Sequence, residues 1–336
     1  MDRKHGIVTE LKRLAAELGH PPSCDEVRLH SLISIDQIIK EFGLVSEAFK
    51  AAGLQSDKRA KWKYKPARIE SIQINEYSLE ELFKRAGNPE VLKMIFEPDT
   101  HIEHVDRLAF ACFLDYISWY QPDVFMIGGD FLNASGLSHW GPEDLQPQRI
   151  VPELIKGRNA LKAISDLTQK ASTRIFLEGN HEDWINQAMM GMPQLFDGLD
   201  ELGIDLSLNS LLELEKHGYD LHKVNTFVKI GDAHFTHGIY SCDNHAKKHL
   251  DKLKANIYYG HLHDGKSWHD TSLSGTVEAM SLFCLCRLDA KFLKGKPNNW
   301  GHGFGQFEFF RDGSYSRIAH RIENGRLSVN GRMFRA

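Results

Sequence analysis

The chain has 336 residues, enough for one large domain or two of ordinary size. Its hydrophobic content of 42% and charged content of 26% are ordinary for a globular protein, and no run approaches the ~20 apolar residues of a membrane span. The N-terminus has no apolar signal core, and none of the five cysteines forms a Cys-x-x-Cys pair. We therefore expect a protein without a membrane span or export signal, with free thiols, in a reducing cytoplasm.

Charge is distributed unevenly along the chain. The net charge of −4 argues against general affinity for nucleic acids. Residues 1–68, however, hold 13 Lys and Arg against 9 Asp and Glu, so a basic front precedes an acidic body. This front could meet a polyanion, and the alternative is an ordinary solvated charged face.

Residues 6–54 have the pattern of three short helices. Apolar residues recur at helical spacing from Ile7 up to Gly19, which ends the first helix together with the two prolines that follow. A second apolar stripe ends at Gly43, and a third helix ends at Gly53. Helix starts are marked by residues that fit capping boxes: Ser23 with Glu26, and Ser34 with Gln37.

The strings ELGHPPS, FG and AFKAAGL within residues 6–54 are similar to the homing-endonuclease-associated repeat. That family is a small helix-turn-helix module found beside phage-type endonucleases, so the resemblance implies DNA binding and a phage setting. The alternative is a small helical bundle used for docking or oligomerisation. We assign residues 1–54 to a helical, helix-turn-helix-like module.

Residues 55–70 alternate basic and aromatic side chains, with Trp62 and Tyr64 between lysines and arginines. This pattern suits phosphate contacts and base stacking, although a plain solvated connector would look similar. A short helix is predicted over residues 78–89. We therefore interpret residues 55–90 as a basic linker or arm.

From residue 91 onward, predicted strands alternate with predicted helices, which is typical of an α/β domain. Strands are expected at residues 91–96, 124–127, 174–177, 227–230, 233–236 and 256–259, followed by β-rich segments at 272–288 and 304–334. Helices are expected at residues 103–120, 150–169 and over much of 182–216. Asn-Gly and Asp-Gly pairs mark turns between the last strands.

Five motifs of metal-ligand residue types stand at the ends of these strands. They are Asp99-Thr100-His101, Gly129-Asp130-Phe131-Leu132-Asn133, Gly179-Asn180-His181-Glu182, His237-Gly238 and Gly260-His261-Leu262-His263. Residues i and i+2 of a strand point to the same side, so Asp-x-His and His-x-His can hold one ion. Glycine beside a ligand permits close approach, and a shared carboxylate can bridge two ions ~3.5–4 Å apart.

These motifs, in this order, resemble the calcineurin-like metallophosphoesterase superfamily over about residues 91–336. The resemblance implies a four-layer α-β-β-α sandwich, here preceded by a small three-helix N-terminal domain. It also implies two metal sites, one of Asp99, His101, Asp130 and His263, the other of Asp130, Asn180, His237 and His261. Asp130 would be the bridge, and His181 would donate a proton to the leaving oxygen or stabilise charge on the phosphate.

The implied metals are two divalent cations held by nitrogen and oxygen atoms without thiolate. We expect manganese, with iron, zinc, nickel and magnesium as alternatives, because the order of affinities does not choose among them. The resemblance implies direct attack on the phosphate by a hydroxide that bridges the metals.

Two positions depart from the superfamily's protein phosphatases. Glu178 stands where they have an arginine that clamps phosphate, and Asn133 stands where they have an aspartate. Both differences argue against a protein phosphatase, and the superfamily's repair exonucleases, with histidine at the second position, match Asn133 no better. Asn133 could equally be a turn-former. His139 and Trp140 follow in a loop where they could contact the substrate.

We interpret the chain as a metal-dependent phosphoesterase that hydrolyses phosphodiesters, with DNA as the expected substrate and, given a phage setting, the host cytoplasm as its location. The preference for DNA comes from residues 1–68 and not from the metal motifs. One alternative is a small-substrate phosphatase or a cyclic-nucleotide phosphodiesterase. Another is a catalytically inactive DNA-binding protein.

Overall fold

The computed structural model describes residues 3–22, 27, 31, 33–54, 72–137, 149–191, 196, 198–273, 275–290, 293 and 295–336. The chain divides into two compact units, Met1–Ile69 and Glu70–Ala336. Residues 55–70, which carry the predicted basic arm, lie outside the described residues, as do His139 and Trp140. No helix in the described part of the chain has both the length and the apolar character to span a membrane.

The smaller unit contains the three predicted helices. They are α1 (Arg3–Leu18), α2 (Ile35–Phe42) and α3 (Val45–Ala51). The apolar stripe of α1 is buried, and Ile7 and Leu11 pack with Ile38 and Ala48 in one cluster. The capping box of Ser34 and Gln37 is present at the start of α2. The box predicted for Ser23 and Glu26 lies outside the described residues.

The larger unit is a mixed α/β structure. Its strands are β1 (Ile74–Tyr77), β2 (Leu92–Glu97), β3 (Val124–Ile127), β4 (Thr173–Leu177), β5 (Tyr219–His222), β6 (Phe227–Ile230), β7 (Ala233–Thr236), β8 (Asn256–Tyr259), β9 (Ser267–Ser272), β10 (Gly275–Ser281), β11 (His302–Phe309), β12 (Tyr315–Ile322), β13 (Arg326–Val329) and β14 (Arg332–Arg335). Its helices are α4 (Leu79–Arg85), α5 (Arg107–Tyr120), α6 (Ile150–Leu167), α7 (Asn180–Gly191), α8 (Leu208–Leu212) and α9 (His245–Leu253). Short 3-10 turns occur at Ile102–His104, Ser135–Leu137, Asp200–Leu202 and Glu215–His217.

Most of these strands form two six-stranded sheets. The first sheet has the order β12-β11-β2-β3-β4-β5, and the second has the order β1-β6-β7-β8-β10-β9. Strands β2 to β5 are parallel to one another, so their carboxyl ends meet at one edge of the first sheet. In the second sheet β7 and β8 are also parallel, so their carboxyl ends likewise lie together.

The packing of the two sheets confirms the predicted α-β-β-α sandwich. One apolar cluster joins Met94 and Met126 of the first sheet to Phe235 of the second, so it lies between the sheets. A second cluster covers the outer face of the first sheet with α5 and α6. A third places Leu250 of α9 on the outer face of the second sheet.

The structure differs from the expected linker at residues 72–90. Strand β1 pairs in parallel with β6, and Leu82 and Phe83 of α4 are buried in the cluster between the sheets. These residues therefore belong to the larger unit. Strand β1 was not predicted from the sequence. It lies at a sheet edge with no residue fully buried, and its sequence, INEY, therefore lacks the apolar run by which a strand is recognised.

We predict that the core between the sheets carries much of the larger unit's stability. Phe307 is fully buried there, with its ring centroid 4.9 Å from that of Phe235 and 4.8 Å from that of Tyr258. Phe307→Ala should lower the free energy of unfolding by about 3–5 kcal/mol in urea titrations. The control is Phe310→Ala, a partly exposed neighbour, which should cost about 1 kcal/mol or less. Equal losses in the two variants would contradict this assignment of the core.

Candidate metal centre

Strand ends of both sheets supply the predicted ligands. Asp99 and His101 follow β2, Asp130 follows β3, and Asn180 begins α7 just after β4. The second sheet supplies the rest, with His237 after β7 and His261 and His263 after β8. The structure brings all seven of these side chains together at the strand ends of the two sheets.

The carboxylate of Asp130 lies at the middle of the group. Its Oδ2 is 3.1 Å from His237 Nε2 and 3.8 Å from the Nε2 atoms of His101 and His181. Histidines from both predicted metal sets therefore face the same carboxylate. This is the position that a bridging ligand needs.

One set gathers around His263. Its Nε2 lies 3.2 Å from His101 Nε2 and 3.4 Å from Asp99 Oδ1, and all three side chains are buried. The other ring nitrogen, Nδ1, lies 3.6 Å from the Sγ atom of Cys286. The Cys286 thiol was not foreseen from the sequence, since it stands outside the five motifs and was read only as a free thiol.

The other set gathers around His237. Its Nε2 lies 3.1 Å from Asn180 Oδ1 and 3.2 Å from His261 Nδ1. Its Nδ1 lies 2.9 Å from the Gly128 carbonyl oxygen, to which it donates, so Nε2 is the ring atom directed at Asp130. A cation bound here would take the place of the proton on Nε2, beside Asn180 Oδ1 and Asp130 Oδ2. Such a donor set fits a divalent cation bound by nitrogen and oxygen.

The pKa values of His237, Asp130 and His261 reflect burial and the charges of their neighbours in this group. Burial alone would lower the pKa of His237, but Asp130, Asp99 and the Gly128 carbonyl oxygen together raise the pKa to about 10. Burial alone would raise the pKa of Asp130, but His181 and His237 hold it well below its usual range. Burial and the neighbouring His237 lower the pKa of His261 to about 3, which keeps its lone pairs available. The centre therefore favours a positive charge beside Asp130.

Five of the predicted ligands have a left-handed backbone, which side chains other than glycine rarely adopt. They are Asp99 (φ 31°), His101 (φ 41°), Asp130 (φ 49°), His261 (φ 67°) and His263 (φ 60°). Such conformations persist only where the surrounding structure enforces them, and they concentrate at functional sites. The strain follows the strand-end motifs closely and points to the same centre.

Two glycines beside the ligands leave room for them. A Cβ atom on Gly179 would lie 2.1 Å from Asp130 Oδ1, and one on Gly260 would lie 2.0 Å from Asp99 Oδ2. Both positions therefore exclude any side chain. This agrees with the expectation that glycine permits the close approach of backbone and ligand.

Glu182 has a supporting role that the sequence reading did not assign to it. Its buried carboxylate accepts hydrogen bonds from the backbone nitrogens of Gly179 (2.8 Å), Asp130 (2.9 Å) and Leu132 (2.7 Å). Burial and the nearby Asp130 raise the pKa of Glu182 to about 8. The contact ties the loop after β3 to the loop after β4. The signal was available, because Glu182 ends the Gly-Asn-His-Glu motif.

His181 is oriented by backbone and by an aromatic ring. Its Nδ1 donates to the carbonyl oxygen of Asn133, and its ring packs 4.0 Å from that of Trp184. Its Nε2 is thereby left facing Asp130 and the pocket. The atom that orients His181 therefore belongs to the backbone at position 133 and not to the Asn133 side chain.

The side chain of Glu178 points away from the site. It is buried, accepts from Lys223 Nζ at 2.9 Å and from the Val224 backbone nitrogen at 3.3 Å, and does not line the pocket. Its difference from the phosphatase arginine therefore leaves the pocket without a cation at that point. Within the metal centre Glu178 contributes structure and not phosphate binding.

A cavity of about 270 Å³ opens onto the centre. Its wall includes residues that the sequence reading gave no role in the site: His104, Cys286, Arg287, Asp289 and Trp300. Most of them follow β10 in a segment without regular structure, where no periodic pattern or motif marks them.

The two packed sheets and the strand-end site agree in fold with the resemblance seen in the sequence. The larger unit has the two packed sheets flanked by helices that the resemblance implies. The grouping of Asp130 with His237 and His261, and of His101 with His263, offers ligand atoms close enough to hold metal ions.

Comparisons with known proteins cover both units. Residues 4–55 match the family described as "Homing endonuclease associated repeat", which confirms the resemblance noted in the sequence. The chain is 25% identical over 259 residues to the "Gene 54 protein" of Mycobacterium phage L5, covering 72% of this chain and 98% of that protein.

Two solved structures are similar at a distance. Vacuolar Protein Sorting 29 from Cryptosporidium Parvum has a TM-score of 0.37 at 10% identity, covering 74% of this chain and 97% of that one. Yfce, a phosphoesterase from E. coli, has a TM-score of 0.32 at 13% identity, covering 68% of this chain and 98% of that one.

We predict that filling the space at Gly260 will weaken metal binding. In Gly260→Ala the new Cβ would displace the Asp99 carboxylate, so affinity for Mn²⁺ should fall about 10–100-fold in calorimetric titrations. The control is Gly191→Ala, where a Cβ meets no atom of the described residues within 4 Å. Unchanged affinity in Gly260→Ala would show that Asp99 is not a ligand.

Proposed function

We propose that this protein is a metal-dependent phosphodiesterase that cuts DNA. The observation that carries the proposal is the convergence of strand-end side chains from both sheets on the Asp130 carboxylate. The proposed ligands of one metal are Asp99, His101, Asp130 and His263, and those of the other are Asp130, Asn180, His237 and His261. When bound, two divalent cations, manganese foremost, would supply charge neutralisation at the phosphate and lower the pKa of a coordinated water.

The chain's own residues then hold and orient the reacting groups. Asp130 keeps its position because its backbone nitrogen donates to Glu182 and its Oδ1 accepts from the His181 backbone nitrogen at 3.0 Å. His181 Nε2 faces the pocket, from where we propose that it donates a proton to the leaving oxygen.

The preference for DNA rests on the smaller unit. Residues 4–55 match a repeat whose description associates it with homing endonucleases, and residues 1–68 are basic while the rest of the chain is acidic. A basic module beside a phosphoesterase centre suits a polyanionic substrate. The similarity to a phage protein supports a phage setting, and we propose that the protein acts in the cytoplasm of an infected host.

We expect the smaller unit to bind DNA and the larger unit to hydrolyse the phosphodiester. A variant lacking residues 1–69 should hydrolyse bis-p-nitrophenyl phosphate at the full-length rate but lose most cleavage of DNA, because the smaller unit is proposed to supply most of the affinity for DNA. Initial rates on both substrates with Mn²⁺ measure this, and circular dichroism verifies that the truncated chain folds.

The control for chemistry is Asp130→Asn in the full-length protein. It should abolish turnover of both substrates while keeping salt-sensitive DNA binding. DNA left uncut by every variant, with the small diester still hydrolysed, would instead favour a small-substrate phosphatase or phosphodiesterase. DNA binding without turnover under any divalent metal would indicate a catalytically inactive binding protein.

His181 should matter most for poor leaving groups. A proton donor is needed when an alkoxide leaves from DNA, and much less when the stable p-nitrophenolate leaves. His181→Ala should therefore lower kcat by roughly 100- to 10,000-fold on DNA but far less on bis-p-nitrophenyl phosphate. An equal loss on both substrates, measured at saturating concentrations, would assign His181 to phosphate stabilisation and not to proton donation.

A further inference from the structure

We propose that Arg287 binds the phosphate group of the substrate and that Asp289 holds the same guanidinium in the free enzyme. The inference rests on the proposed phosphoesterase function and adds a substrate-binding residue outside the five motifs. It also identifies Asp289 as a group of the same chain that competes with the substrate phosphate for Arg287.

No arginine enters the cavity from the position that holds one in the protein phosphatases. Glu178 occupies the position of the phosphatase arginine and is buried against Lys223, away from the cavity. Among the described residues that line the cavity, Arg287 is the one lysine or arginine. A guanidinium presents donors in a planar fork that matches the oxygens of a phosphate.

The backbone around Arg287 is fixed against the metal centre. Its nitrogen donates to the His104 carbonyl oxygen at 2.9 Å, and the preceding Cys286 forms a bridge with Val105. The side chain of Cys286 is buried against His263. Arg287 lines the cavity, and 58% of its side chain is exposed. It therefore stands at the mouth of the cavity.

Asp289 occupies the guanidinium in the way that a phosphate would. One oxygen of the carboxylate lies 2.9 Å from Arg287 Nε and the other lies 2.8 Å from Nη2, a bidentate pair. Both side chains are well exposed, at 58% and 71%. Because exposed ion pairs contribute little stability, a phosphate group bound beside the metals can displace the carboxylate.

The test compares variants of the manganese-loaded, full-length protein. Arg287→Ala should raise KM for bis-p-nitrophenyl phosphate and the inhibition constant of inorganic phosphate about 10-fold each, with kcat within about twofold. Both constants of Arg287→Lys should lie between those of the wild-type protein and of Arg287→Ala, because a lysine keeps the charge but not the planar pair of donors. Asp289→Ala should lower both constants roughly two- to fivefold by freeing the guanidinium.

The matched control is Arg321→Ala. Arg321 pairs with Glu323 across the same two-residue spacing, with both side chains exposed at 64% and 63%, but it does not line the cavity. Its removal should leave both constants unchanged. Thermal unfolding curves establish that every variant is folded.

Unchanged constants in Arg287→Ala would overturn the assignment, and unchanged constants in Asp289→Ala would overturn the competition. Failure of the proposed function looks different, since the wild-type protein would then show no metal-dependent hydrolysis. In that case calorimetric binding of inorganic phosphate to the manganese-loaded protein still tests Arg287, because only the Arg287 variants should bind it more weakly.

Discussion

The candidate metal centre depends on one buried carboxylate, Glu182, that is not itself a proposed ligand. Glu182 accepts three backbone N–H groups from two loops, those after β3 and β4, and so holds the strand ends together. The left-handed backbone of Asp130 and its close contact with Gly179 would be costly without this restraint. A buried carboxylate that satisfies several N–H groups stabilises such a geometry strongly, because leaving those donors unpaired would cost more.

The apolar core between the sheets is as much a part of the site as the polar ligands are. Four of the proposed ligands, Asp99, His101, Asp130 and Asn180, follow strands of the first sheet. The other three, His237, His261 and His263, follow strands of the second sheet. The distance between Asp130 and these histidines is therefore set by how closely Phe235, Phe307 and their neighbours pack. Interiors pack densely and transmit small displacements, so errors in this core would reach the metal ligands.

The sequence predicted those parts of the fold and the candidate site that a motif or an apolar run marks. Strand-end motifs located all seven proposed ligands, because parallel strands bring their carboxyl ends to a common edge. It missed β1 because a polar edge strand has no apolar run, and it gave no site role to Cys286, Arg287 or Trp300 because their segment lacks any motif. The atom that orients His181 is the backbone carbonyl of Asn133, which no side-chain motif can reveal.

The arrangement separates chemistry from the choice of substrate. The side chains around Asp130 face a cavity of about 270 Å³, which has room for a phosphate group. In the proposed function, selection of DNA comes from residues outside the motifs, and the repeat at residues 4–55 is the segment proposed to supply it. Binding one part of a polymer raises the effective concentration of the rest at a second site on the same chain. A centre of modest intrinsic affinity could act on DNA in this way without reading its sequence.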